Sequence, residues 1–229
     1  MMKKVLLIII FLCGLSLFCY PLINRTTNDF EMKKCIKRFQ NTLTSEDKSV
    51  LDLNDLFLEF QQYNQELYES KQVNLVDPFS YEQASFNLKC YGFEDEMFGY
   101  LSIPKLSVEL PIYLGATNEN LNKGAVHLSE TSLPIGTMNS NSVIAAHNGW
   151  YGKTLFRHLN QLVLGDEIKV TNVWETLTYE VVEIEIIQPD EIDKVLIQEG
   201  RELITLMTCH PYGKNTERYL IYAERVYKN

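Results

Sequence analysis

A mostly β domain whose strands close into a barrel is the fold predicted for the second half of this sequence, and three observations predict it. From residue 97 onward short apolar segments recur: "MFGYLSI", "VELPIY", "SVIAAH", "EIKVTN", "LTYEVVEIEII", "LITLMTC" and "RYLIYAERV". Val182, Ile184 and Ile186 alternate with Glu183 and Glu185, the period of a half-buried strand. Polar or Gly-containing connections separate the segments, and seven or eight strands joined this way read as a closed or nearly closed barrel. Only "TLFRHLNQL" and "EIDKVLIQE" interrupt them as short helical candidates.

Upstream of the barrel the elements differ in kind. "MMKK" precedes an uncharged apolar run over residues 5–23, long enough to span hydrocarbon. The run ends in Phe18, Cys19, Tyr20 and Pro21 rather than in the small residues of a cleavage site, so it is expected to be an uncleaved anchor. The bulky Phe18 before Cys19 fits lipidation poorly. Lys3 and Lys4 favour a cytoplasmic N-terminus. Residues 26–48 are mixed and polar, and Lys33, Lys34, Lys37 and Arg38 read as a solvated helix face near a membrane. Leu53, Leu56, Phe57, Phe60, Tyr63 and Leu67 then fall at three- and four-residue spacing, which predicts an amphipathic helix packed on the main domain. In the loop that follows, Pro78 fixes its own backbone and extends Asp77, a stiff turn presenting Phe79. The expected organisation is an anchor over 1–25, a helical region over 26–72, a loop over 73–90 and the barrel over 91–229.

Composition narrows the function. With 229 residues, 45% of them hydrophobic, the chain can pack a core, and its net charge of -9 excludes a nucleic-acid partner. Of five cysteines, Cys13 and Cys19 lie in the apolar run, leaving Cys35, Cys90 and Cys209, an odd set without an even disulfide framework. Neither a CxxC pair nor regular Cys/His spacing is present, so no structural zinc is expected.

The chemistry points to "LMTCHPYGKNTER". An apolar strand delivers Cys209 to its end, Pro211 and Gly213 break the chain, and Arg218 opens the return strand. A guanidinium held opposite a thiol can stabilise a thiolate or the oxyanion of an attacked carbonyl. The proton carrier must be a histidine. His147 closes "SVIAAH" before Asn148 and Gly149, at a strand-to-loop edge; His127, His158 and His210 are the other candidates. A papain-like protease would place cysteine before histidine, the reverse of this order.

"TLMTCHPYGKNTER" resembles the TLxTC motif of the sortases with its downstream arginine. "GYLSIPKLSVELPIYLG", "KGAVHLSETSLPIG" and "SVIAAHNG" are similar, in order, to the first barrel strands, the segment before the histidine strand and that strand itself in pilus-assembly, class C, members. The resemblance covers roughly residues 97–226. It implies the eight-stranded sortase barrel with short helices, preceded by the helical region and a lid loop. It also implies that His147, Cys209 and Arg218 are the catalytic triad, and that Asp77, Pro78 and Phe79 form a lid whose carboxylate approaches Arg218 while the ring covers Cys209. Three positions depart from the common pattern: His210 after the cysteine, Asn148 after the histidine and Glu217 before the arginine.

The function implied is that of a transpeptidase that cleaves an LPxTG-like sorting signal through a thioacyl on Cys209 and joins it to a lysine amine of a pilin subunit. No metal or organic cofactor is required. The expected location is the outer face of a Gram-positive membrane, held by residues 5–23 alone. Two alternatives stand beside it: a housekeeping sortase that attaches proteins to the cell wall, and a non-catalytic membrane-anchored peptide-binding barrel.

Overall fold

The computed structural model describes residues 2–44, 53–75, 84–91, 93, 96–150 and 152–227. Helix α1 runs over Met2–Thr44 with Pro21 inside it, and α2 over Leu53–Ser70. The strands are β1 (Met97–Ile103), β2 (Val108–Leu114), β3 (Ala125–His127), β4 (Ser140–Ala145), β5 (Glu167–Thr171), β6 (Thr176–Ile187), β7 (Glu202–His210) and β8 (Glu217–Arg225), with a short helix α3 (Asn118–Lys123) between β2 and β3. They close into a barrel in the order β1-β2-β3-β4-β7-β8-β6-β5. The pairs β2/β3 and β4/β7 are parallel and the rest antiparallel.

Closure depends on one small residue. A Cβ on Gly99 of β1 would lie 2.2 Å from the Thr171 carbonyl oxygen of β5, so only glycine lets these two edges meet. Inside the barrel Leu101, Ile112, Ile144, Val170, Leu206 and Ile221 form one buried cluster. On the outer face Val143, Ala145, Met207 and Leu220 join a second, which also takes in Ile36 and Phe39 of α1 and Leu75. Alternation along each strand makes this division, with even positions of β7 inward and odd ones outward.

The helix expected beneath Lys33, Lys34, Lys37 and Arg38 is the continuation of α1 as far as Thr44: Met32, Cys35, Ile36 and Phe39 recur at helical spacing and turn toward the barrel while the four basic residues stay exposed. Two other expectations change. Val182 and Ile186 do not face the core: they are 37% and 48% exposed. The register of β6 against β8 shifts between Val181 and Glu183, which leaves Val182 as the extra residue; beyond it Ile184 packs against the barrel core, while Ile186, near the end of the strand, stays exposed. The helical candidates around Leu159 and Ile192 shrink to single 3-10 turns, Leu159–Gln161 and Ile192–Val195.

Helix α2 packs as its stripe requires, with Leu56, Phe60 and Leu67 buried. Phe60 lies 4.6 Å from the Phe86 ring and 5.7 Å from Trp174. Asn64 sits in the same face because its amide is fully used: Nδ2 donates to the Leu133 carbonyl and to Thr137 Oγ1, both at 2.9 Å, and Oδ1 accepts from the Leu133 N–H at 2.8 Å. Gln72 then pins the end of this region, donating to the Glu130 carbonyl at 3.0 Å and accepting from the Ile197 N–H at 2.7 Å. Asp77, Pro78 and Phe79 lie outside the described residues.

Candidate active site

Three neighbouring strands carry the site. Cys209 and Arg218 are direct partners in the β7/β8 ladder, placed there by the turn over residues 211–216. On the other side of β7 the parallel pairing with β4 ends at Ala145 opposite Met207, and the Ala146 N–H continues it by donating to the Met207 carbonyl at 3.2 Å. His147 therefore leaves β4 beside the end of β7. Alternation puts Ala145 and His147, Met207 and Cys209, and Leu220 and Arg218 on one outer face. His147, far upstream in the sequence, is brought to the strand end beside Cys209 and Arg218, which flank a single turn.

The connections between these ends are hydrogen bonds that the sequence did not announce. Asn148 Nδ2 donates to the Cys209 carbonyl at 2.8 Å, and Thr208 Oγ1 donates to the Ala146 carbonyl at 2.8 Å. The residue at the departure position after the histidine thus ties the histidine loop to the cysteine. The His147 carbonyl accepts from the N–H groups of Gly149 at 2.8 Å and Phe156 at 3.1 Å, which curls the loop back on itself. The Trp150 ring stacks on the His147 ring, 4.7 Å between centroids and 22° between planes. A side chain three residues beyond a histidine is the only trace of this stack in the sequence.

Electrostatics follow from burial. Desolvation pushes the Cys209 thiol above its ordinary value, while the Arg218 charge pulls the other way. Burial pushes the His147 imidazole below its ordinary value. At neutral pH both groups are uncharged in this form, a thiol and an imidazole. Arg218 Nη1 donates to the carbonyls of Asn215 at 3.1 Å and Glu217 at 3.0 Å, bonds that fix the fork without cancelling its charge.

The other histidines are placed elsewhere. His127 is wholly buried in β3, where Nε2 donates to the Ser132 carbonyl at 2.9 Å and desolvation lowers its pKa to about 4. His158 is exposed. His210 lies on the opposite face of β7 from Cys209, with its ring 5.8 Å from that of Tyr219, in a cavity of about 360 Å³ that also holds Thr208 and Phe156. Among the described residues no three His, Cys, Asp or Glu side chains are grouped to hold a metal. Cys35 and Cys90 are both free thiols.

A closed barrel with a thiol opposite a guanidinium and an imidazole one strand away belongs to the class of proteins equipped for acyl transfer through cysteine. The comparisons agree with that class and narrow it. The Sortase domain family model matches residues 101–226. Sortase D of Bacillus subtilis (strain 168) is 33% identical over 131 residues, which are 56% of this chain and 63% of that protein. Sortase A of Listeria monocytogenes is 24% identical over 225 residues, 98% of this chain and 91% of the relative. Among solved structures, the pilus-related sortase C of Group B Streptococcus is 34% identical with a TM-score of 0.72, covering 82% of this chain and 95% of that one. Streptococcus pneumoniae sortase C is 32% identical with a TM-score of 0.74, covering 85% and 97%. This chain belongs to the sortase family, whose members are cysteine transpeptidases.

Proposed function

We propose that the protein is a pilus-class sortase that joins pilin subunits, with Cys209 as nucleophile, His147 as proton carrier and Arg218 as oxyanion stabiliser. The observation that carries the chemistry is the pairing of Cys209 with Arg218 across the β7/β8 ladder, beside the end of β4 that bears His147. The class reading is supported by the likeness to streptococcal sortases C over four fifths of the chain, one of them titled pilus-related.

The mechanism follows the proton. When a sorting signal of the LPxTG type fills the groove and displaces water, the Cys209 proton passes to His147 and the thiolate attacks the threonine carbonyl carbon. Negative charge moves to the carbonyl oxygen, facing the Arg218 guanidinium. The peptide C–N bond breaks, the departing glycine amine takes the proton from the imidazolium, and a thioester remains on Cys209. A pilin lysine amine then attacks that thioester, gives its proton to His147 and expels the thiolate, which recovers the proton. The product is an isopeptide bond, and the chain returns to its starting form.

Asp77, Pro78 and Phe79 are proposed as the cover of this face. Support comes from Leu75, two residues before Asp77, which is 3% exposed and packed in the same outer cluster as Ala145, Met207 and Leu220. Residues 5–23 are proposed as a single-pass anchor with the barrel outside the cell; α1 is long and apolar enough to cross a membrane, and the large side chains of the run are exposed.

A second reading is favoured by the curated relatives, which carry the names sortase A and sortase D. In that reading the acceptor is a cell-wall amine. The test is to incubate the detergent-solubilised chain with a sorting-signal peptide and either a lysine-bearing pilin domain or a peptidoglycan stem peptide, and to follow Cys209 by mass spectrometry. An adduct resolved by the pilin lysine supports the pilus reading, and one resolved only by the wall amine replaces it. Absence of any adduct, also in the Asp77→Ala, Phe79→Ala double variant, removes the enzyme reading. For the lid alone, Phe79→Ala should speed alkylation of Cys209; an unchanged rate means the ring does not cover the thiol.

A further inference from the structure

A cavity of about 600 Å³ opens next to the histidine loop, between Pro21 and Arg25 of α1 and the loop residues Trp150, Lys153 and Arg157. Its lining contains two arginines, one lysine and no carboxylate, in a chain with 30 acidic against 21 basic residues. Asp29, one turn beyond Arg25, lines the adjoining cavity, which Arg25 and Lys33 also line. Among the described residues none of Arg25, Lys153 and Arg157 enters an ion pair.

The cations are held in place by the fold. The Arg157 guanidinium lies over the Tyr212 ring, 3.2 Å from its centroid, and its stem runs against Gly149, where a Cβ would be 3.3 Å from Arg157 Cδ. Arg157 Nη1 is buried without a hydrogen-bond partner among the described residues. Such a donor lacks the acceptor that normally offsets its desolvation, and an anionic oxygen supplies it best. Lys153 pairs through its main chain with Trp150 and donates from Nζ to the Asn122 carbonyl, leaving two of its three N–H donors for a ligand. Burial lowers the Lys153 pKa, a cost that a bound anion would reverse.

The position selects the anion. Pro21 and Arg25 bracket the end of the apolar run over residues 5–23, the level at which hydrocarbon gives way to headgroups. We propose that this cavity binds the phosphate of an anionic phospholipid headgroup, with Arg25, Lys153 and Arg157 as its ligands. This rests on the reading of α1 as a membrane anchor. Trp150 lines the cavity and stacks on His147, so an occupied site steadies the loop that carries the proposed proton carrier.

The test uses the full chain reconstituted in phosphatidylcholine vesicles with or without phosphatidylglycerol, with flotation to report anchoring. Acylation of Lys153 by an amine reagent is read by mass spectrometry, with Lys105 and Lys169, each paired to a carboxylate, as internal references. Phosphatidylglycerol should slow Lys153 labelling about tenfold once it stands near ten times its dissociation constant, without slowing the references. Arg25→Gln, on the helix outside the barrel, should remove most of that protection, as should Arg157→Gln. Glycerol phosphate added to detergent-solubilised protein is the other arm: protection there but not in vesicles reassigns the source to a soluble phosphate and overturns the lipid assignment. Flotation without protection by phosphatidylglycerol overturns the proposal while the anchor stands. Failure to float overturns the anchor reading and the lipid assignment with it, leaving the detergent arm to decide whether the cavity takes phosphate at all.

Discussion

The β7/β8 hairpin carries an arginine at each end, and the two are handled in opposite ways. At the open end of the strands Arg225 meets carboxylates, with Glu202 at 3.7 Å and Glu175 at 3.6 Å. Glu202 is 2% exposed and accepts from the hydroxyls of Tyr179 at 3.0 Å and Tyr227 at 2.8 Å. At the turn end Arg218 is held by two main-chain carbonyls and faces a thiol across the ladder. A guanidinium set against a buried carboxylate serves the fold, whereas one aimed from a turn across the ladder at a thiol is placed to meet an anion that forms during a reaction. The same residue type on the same two strands is structural at one end and poised at the other.

Substitutions at the two ends should therefore fail differently. Cys209→Ala should abolish the thioacyl adduct outright while leaving the urea midpoint close to that of the parent. Arg225→Gln should do the reverse, costing about 3–5 kcal/mol of stability because Glu202 is left buried without its cation. Burial already raises the Glu202 pKa, and removing Arg225 raises it further. The folded state then holds this proton more tightly than the unfolded chain does. The deficit should shrink as pH falls and Glu202 takes up its proton, and urea melts at several pH values will check the sign. Arg218→Gln should lower the rate of thioacyl formation about 10²–10³-fold with little change in stability. A large loss of stability there would erase the distinction between the ends.

Two pH measurements sharpen the contrast at smaller amplitude. His127 is neutral in the folded state down to about pH 4, and in the unfolded chain it protonates near 6.5. Its folded pKa is depressed, so stability is complete above pH 6.5 and falls as pH drops toward 4, by up to roughly 3 kcal/mol. His127→Gln should flatten that part of the profile. At Cys209, alkylation of the resting chain should climb with an inflection above that of an ordinary thiol, since burial outweighs Arg218, and Arg218→Gln should move the inflection upward. An inflection near neutrality would mean that a thiolate is already formed at rest.

Much of this architecture is written in local patterns. The segments beginning at Met97, Val108, Glu167, Leu203 and Arg218 become strands nearly where their apolar periodicity places them. The helix over Leu53–Ser70 follows its stripe. Strand β3 has only three residues, too few for any period to show. The bulge at Val182 is invisible for a related reason: a continuous alternation of Val, Ile and Glu looks the same whichever side faces inward, and only pairing with β8 chooses the side. The basic residues over 33–38 were legible as a solvated helix face, but the barrel surface that Ile36 and Phe39 of the same helix cover emerges only in the tertiary structure.

The sequence by itself determined the residue types of the proposed site and their strand-end positions: Cys209 and Arg218 flanking one turn, His147 closing a distant strand. Those are local facts, set by breakers and alternation. The tertiary structure alone decided that β4 lies parallel to β7, that Asn148 and Thr208 stitch the two ends together, and that Trp150 stacks on His147. It also collected Arg25, Lys153 and Arg157 around one cavity. Contacts between residues so far apart in the chain depend on which strands become neighbours when the barrel closes, and closure is a property of the whole sheet, which no window of sequence contains.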